Sequence, residues 1–130
     1  MYVLDTNTLI HFFKGKGRVA ATLLSIPPRE IAIPAVVLYE LEVGIAKSSQ
    51  PTHRRAQLDA LVTIVTVLPF DLSAAKRAAE LRAALEKAGT PIGPIDVLIA
   101  GTALAYEGVL VTHDKAEFGR VKGLKTKDWY

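Results

Sequence analysis

The sequence predicts an α/β domain, with a parallel central sheet flanked by helices, built from the whole chain, residues 1–130. Three observations predict it. Short apolar, β-branched runs alternate with longer segments of helical periodicity. Pro, Ser and Gly punctuate the helical segments where helices start and stop. Two acidic residues, Asp5 and Asp114, stand at the carboxyl ends of strand-like runs, where open parallel sheets hold their ligands.

Tyr2 to Asp5 reads as a buried strand. Asn7 to Lys14 reads as a helix ended near Gly15, and Arg18 to Ser25 as a second one stopped by Pro27-Pro28. Glu30 to Ile33 is a short strand. Pro34 suits the first turn of a helix that runs to about Lys47. After the loop Ser48 to Pro51, Thr52 to Val62 is helical, with Arg54, Arg55 and Asp59 on its polar side. The β-branched content of Ile64 to Leu68 predicts a strand. Ser73 to Ala88 is rich in Ala, Leu, Glu, Lys and Arg, so it predicts a helix, with Ser73 as its cap and Gly89 as its close. Gly89 to Gly93 is a loop. Pro94 to Tyr106 is nearly all apolar and predicts a buried helix. Gly108 to Thr112 is a strand, Lys115 to Gly119 a short helix, and Leu124 to Thr126 a last strand. No repeat, linker or low-complexity tract interrupts the pattern.

Composition narrows the function classes. At 130 residues, 50% hydrophobic and 22% charged, the chain suits one globular domain with its own core. No apolar run approaches the roughly 20 residues of a membrane helix. A strand-like segment opens the chain, so no secretory signal is expected. Cysteine is absent, which excludes disulfides, thiol catalysis and Cys-ligated zinc and fits a cytoplasmic protein. The net charge is +3. If four of the 13 acids hold metal, nine remain against 16 basic residues, leaving +7 over the rest of the surface. A basic surface around an acidic pocket suits a polyanion cut by metal chemistry.

Four acids stand where acids are costly. Asp5 ends Tyr2-Val3-Leu4; Glu40 sits inside an apolar run; Asp96 opens Val97-Leu98-Ile99-Ala100; Asp114 follows Val109 to His113. A carboxylate beside a buried element needs a partner or a metal. Three have an ordinary alternative. Asp5 can cap the first helix, Asp96 can sit at the positive end of a helix dipole, and Asp114 precedes Lys115-Ala116-Glu117 in a cap-box-like pattern. Glu40 lies in mid-helix, where no backbone donors are free, and its spacing from Val36 and Val43 puts it on their face, read as core-facing. Glu42 lies about 200° around the helix and is expected in solvent. His11, His53 and His113 lack metal-ligand spacing. An all-carboxylate set selects a hard ion, Mg²⁺ or Mn²⁺. There is no phosphate-binding glycine motif and no nucleophile elbow.

Leu4-Asp5-Thr6-Asn7, Glu40-Leu41, Pro91-Ile92-Gly93 with Asp96 and Ile99-Ala100, and Leu110 to Asp114 with Phe118 together resemble the PIN-domain nucleases. With Gly123-Leu124 and Asp128-Trp129 added, the set is similar to the VapC-type toxins of toxin–antitoxin pairs. The resemblance covers essentially the full chain, residues 1–130 as one PIN-like nuclease domain. It implies a metal-dependent endoribonuclease, cutting RNA phosphodiester bonds with bound Mg²⁺ or Mn²⁺. It also implies a cytoplasmic homodimer held in check by a cognate antitoxin. Carried over by motif, Asp5, Glu40, Asp96 and Asp114 are the catalytic and metal-binding acids, and Asn7 and Thr112 are supporting polar positions. His113 stands where many relatives have Asn, and Ile95 where a polar residue is frequent. Lys14, Lys16, Arg18, Lys115 and Arg120 are candidate guides for RNA, against the plainer reading as solvated charges.

Two other readings compete. A receiver-like phosphoacceptor would want a second acid beside Asp5 and has no role for Glu40. A non-catalytic binding module on the same fold would be favoured by an incomplete quartet, and all four acids are present.

Overall fold

The computed structural model describes residues 1–130. Five short parallel strands form one sheet: β1 (Tyr2–Leu4), β2 (Ile31–Pro34), β3 (Thr66–Leu68), β4 (Val109–Val111) and β5 (Thr126–Lys127). Their order across the sheet is β3-β2-β1-β4-β5. Seven helices connect and cover them: α1 (Thr6–Lys14), α2 (Val19–Ser25), α3 (Ala35–Ala46), α4 (Pro51–Val62), α5 (Leu72–Lys87), α6 (Pro94–Ala105) and α7 (Lys115–Phe118). The predicted parallel α/β architecture is therefore present, with each element within about two residues of its expected bounds.

The chain winds outward from β1 through β2 to β3, then returns to place β4 on the other side of β1. That reversal opens a crevice at the carboxyl ends of β1 and β4, the usual ligand position in open α/β sheets. β2 and the inner parts of β1 and β4 are sheltered: Val3, Leu4, Ala32, Ile33, Leu110 and Val111 have no exposed surface. Strands covered on both faces are expected to be continuous apolar runs, as these are. No helix is long and apolar enough to cross a membrane.

α5 lies directly against α6, because Gly101 faces Ala78. A Cβ at Gly101 would come within 2.6 Å of the Ala78 Cβ. This close seat fixes α6, and hence Asp96 in its first turn, against the rest of the molecule.

Two local expectations are corrected. The cap of α5 is Asp71, whose carboxylate accepts from the Ala74 N–H at 3.0 Å; Ser73 lies inside the helix. The core stripe of α3 is Val37, Leu41 and Ile45, not Val36 and Val43; Val43 is 37% exposed. α3 is apolar around most of its circumference, so spacing alone leaves its phase ambiguous. Glu40 borders the buried stripe and is half-buried rather than core-facing.

Candidate active site

The amino ends of three helices meet at the β1–β4 crevice. Asp5 follows β1, is 4% exposed, and caps α1 by accepting from the Thr8 N–H at 2.8 Å. Its own N–H donates to the Val111 carbonyl, and the Thr8 hydroxyl donates to the same oxygen at 3.0 Å. The start of α1 is thus tied to the end of β4. Asp114 caps α7 by accepting from the Glu117 N–H at 3.0 Å. Its N–H donates to the buried Thr112 hydroxyl at 3.0 Å. Asp96 lies in the first turn of α6. Glu40 enters from α3 and accepts a hydrogen bond from the Thr6 hydroxyl at 2.5 Å.

A fifth acid joins them. Glu117 accepts from the Gly93 N–H, and oxygens of Asp96, Asp114 and Glu117 lie within 4.8 Å of one another. Asp5, Glu40, Asp114 and Glu117 each have one oxygen held by a protein donor, which leaves the second without a protein donor. Capping and site-building are not alternatives here, because the N–H groups that cap the helices orient the carboxylates.

The electrostatics report the crowding. Burial first, then the charge and hydrogen bond of Glu117, then the charges of Glu40 and Asp5, push the Asp96 carboxyl up to about 7. Like charges near one another disfavour ionisation, and a cation would relieve that cost. The donors are all carboxylate oxygens, which suit a hard ion with ligand distances of about 2.0–2.6 Å. Asp96, Asp114 and Glu117 therefore fit one divalent ion, with Asp5 and Glu40 on its flank.

All four acids expected from sequence reach this region, at unequal depth: Asp5 is buried, and the others are partly open. Thr112 supports Asp114 as expected, whereas Asn7 is exposed and makes no side-chain hydrogen bond. Thr6 and Thr8 supply the contacts from that segment instead. Glu117 was legible only as part of a capping pattern; its signal is that it follows Asp114 by three residues, one helical turn. Glu42 is exposed and paired with Arg55 at 2.5 Å, and that hydrogen bond outweighs slight burial to hold its carboxyl below the usual range.

Among the basic candidates, Arg120 donates to the Pro91 carbonyl at 2.9 Å on the loop before α6. Lys115 lies 3.6 Å from Asp128. Lys14 lines a cavity of about 400 Å³ between α1, α3 and α4, with Glu40 at one side, Arg54 and apolar walls from Ile10, Phe13, Leu41, Ile45 and Leu58.

The PIN domain family matches residues 2–124. A tRNA(fMet)-specific endonuclease VapC from Shigella flexneri is 36% identical over 128 residues, covering 98% of this chain and 97% of its own. A crystal structure of DNA-bound VapBC from Salmonella typhimurium contains a chain that superposes with a TM-score of 0.92 at 34% identity, covering 99% of this chain and 98% of that one. A chain of VapBC2 from Rickettsia felis, bound to a promoter DNA fragment, superposes equally well at 31% identity, with the same coverage.

Proposed function

The chain belongs to the PIN-domain family, within its VapC ribonuclease group, and from that premise we propose that residues 1–130 act as one metal-dependent endoribonuclease domain, the toxin of a type II toxin–antitoxin pair. The observation that carries the proposal is the convergence of Asp5, Glu40, Asp96, Asp114 and Glu117 on the β1–β4 crevice.

Asp96, Asp114 and Glu117 would hold Mg²⁺ or Mn²⁺, with Asp5 and Glu40 as further ligands or ligands through water. The chemistry supplied by such an ion is Lewis-acid activation of the attacking water and neutralisation of charge on the phosphate. The protein's share is positioning. Asp5 and Asp114 are held by helix amides, Glu117 by Gly93, and Glu40 by Thr6. The unheld oxygen of Glu40 can orient the water or accept its proton. Basic residues such as Lys14, Lys16, Arg18, Lys115 and Arg120 would guide the RNA backbone.

The reading includes a cytoplasmic homodimer and a cognate antitoxin. Tyr39 on α3 and Leu72 at the start of α5 are 60% and 71% exposed, apolar surface that a second copy can cover. The cavity between α1, α3 and α4 would take an antitoxin segment with apolar side chains and one basic residue reaching Glu40. The test is cleavage of RNA by purified protein, beginning with tRNA(fMet), the RNA in the Shigella relative's name. Cleavage with Mg²⁺ or Mn²⁺ that stops in EDTA supports the reading; equal cleavage in excess EDTA overturns it.

A further inference from the structure

Beside the acids lies an aromatic cluster for which the fold alone gives little reason. His113, immediately before Asp114, stacks on Tyr130 with ring centroids 4.4 Å apart and planes 22° apart. His11 of α1 meets both rings edge-on, at 4.8 Å from Tyr130 and 6.0 Å from His113. The stack is open: the His113 side chain is 51% exposed and Tyr130 is 45% exposed. It is also held. Asp128 bonds His113 Nδ1 at 2.9 Å and accepts from the Tyr130 N–H at 2.9 Å, and the Tyr130 carbonyl accepts from the Arg18 N–H at 2.7 Å. Gly17 lies so close beneath the Tyr130 ring that a Cβ there would sit 2.9 Å from it.

The cluster carries a stability cost. His11 Nδ1 is buried without a hydrogen-bond partner, and a buried polar atom left unpaired is destabilising. A cluster kept only for packing would gain from an apolar ring at that position. Open stacked rings rimmed by cations are instead the surface on which unpaired bases stack. The cations are present: Lys16 and Arg18 flank Gly17, and Lys115 follows Asp114.

We propose that the His113–Tyr130 stack, backed by His11, is a base-stacking platform that holds an unpaired RNA nucleobase next to the scissile phosphate. Chain continuity sets the occupant, since the platform residue His113 and the candidate ligand Asp114 are neighbours. A nucleotide stacked on the first delivers its phosphate toward the second. Lys16, Arg18 and Lys115 would meet flanking phosphates. The platform favours loops and single strands over duplex, because a paired base cannot leave its own stack without cost. The inference rests on the endoribonuclease reading.

The test uses the full chain carrying Asp96→Asn, so that RNA remains intact, and a stem–loop RNA with 2-aminopurine in its loop. The same stem as a blunt duplex is the control. Adding His113→Ala or Tyr130→Ala should weaken stem–loop binding at least about fivefold and reduce the fluorescence change of the loop base. Duplex binding should shift less than about twofold. Tyr130→Phe should bind like its parent, and His113→Phe, which keeps a ring without the Asp128 contact, should retain most of the affinity. With Asp96 restored, the alanine variants should raise KM, leave kcat nearly unchanged, and relax base preference beside the cut. Unchanged loop affinity and fluorescence in both alanine variants, or equal loss for loop and duplex, overturns the platform. Loss of antitoxin binding with RNA binding intact overturns it in favour of a protein-binding face. Wild-type protein, with Asp96 intact, that neither binds nor cleaves RNA overturns the endoribonuclease reading itself. Wild-type protein that does both, while the ring variants match it with Asp96 restored, removes the platform alone.

Discussion

Replacing Asp96 by Asn should stabilise the metal-free protein at high pH while abolishing cleavage. Asp96 is raised from the ordinary 3.8 to about 7 by burial and by Glu117, Glu40 and Asp5. Each pKa unit corresponds to about 1.4 kcal/mol, so a fully shielded group would contribute about 4 kcal/mol. Asp96 is partly exposed, and solvent screening reduces this to roughly 2 kcal/mol. The sign follows from proton linkage. Between pH 4 and pH 7 the folded state binds the Asp96 proton more tightly than the unfolded state, so stability falls as pH rises through that window. Below pH 4 the group is neutral in both states and the cost disappears. Asn keeps the shape and never ionises. At pH 8 in EDTA, the Asp96→Asn protein should therefore melt about 5–8 °C above the parent. At pH 4 the two should agree within a degree or two. Saturating Mn²⁺ should reverse the order at pH 8, because only the parent retains the full ligand set. Thermal denaturation followed by circular dichroism, beside a cleavage assay, reads all of these. An equal difference at pH 4 and pH 8, or a less stable variant at pH 8 without metal, would refute the crowded-carboxylate reasoning.

Other perturbations test neighbouring parts of the argument. Glu40→Gln should abolish cleavage and lower Mn²⁺ affinity measured by calorimetry, whereas Glu42→Gln should leave both unchanged, since Glu42 only pairs with Arg55 on an exposed face. Equal effects of the two would remove Glu40 from the site. Glu117→Gln should weaken Mn²⁺ binding at least tenfold by roughly the effect of losing one charged ligand; unaltered affinity would leave it a structural tie to Gly93. Gly101→Ala should cost about 1–3 kcal/mol in urea denaturation by pushing α5 from α6, and a neutral result would mean that the helices separate freely. Light scattering at micromolar concentration should give a dimer mass, and a monomer throughout would contradict covered apolar faces at Tyr39 and Leu72.

Strand and helix identities were legible because each is written in local pattern. Tyr2-Val3-Leu4 and Val109-Leu110-Val111 are short, apolar and β-branched, and Pro94 and Gly89 mark helix ends without tertiary help. The chemical type of four acids was legible for a similar reason, since a carboxylate among apolar residues is conspicuous wherever the chain goes. Phase and proximity were not local. α3 is apolar on nearly every face, so only packing against the sheet selected Val37, Leu41 and Ile45 over Val36 and Val43. Asp71 displaced Ser73 as the α5 cap because the chain arrives extended at Asp71, and its carboxylate also accepts from the Tyr106 hydroxyl at 2.6 Å. Glu117 looked like half of a capping pattern. It meets Asp96 only because α7 follows β4 and α6 is seated on α5. His11, His113 and Tyr130 span nearly the whole chain and meet only because β4 lies beside β1 and Tyr130 folds over Gly17. Residue chemistry is a property of sequence. Which groups share a crevice is decided by strand order, and strand order is set by long-range burial that no local window contains.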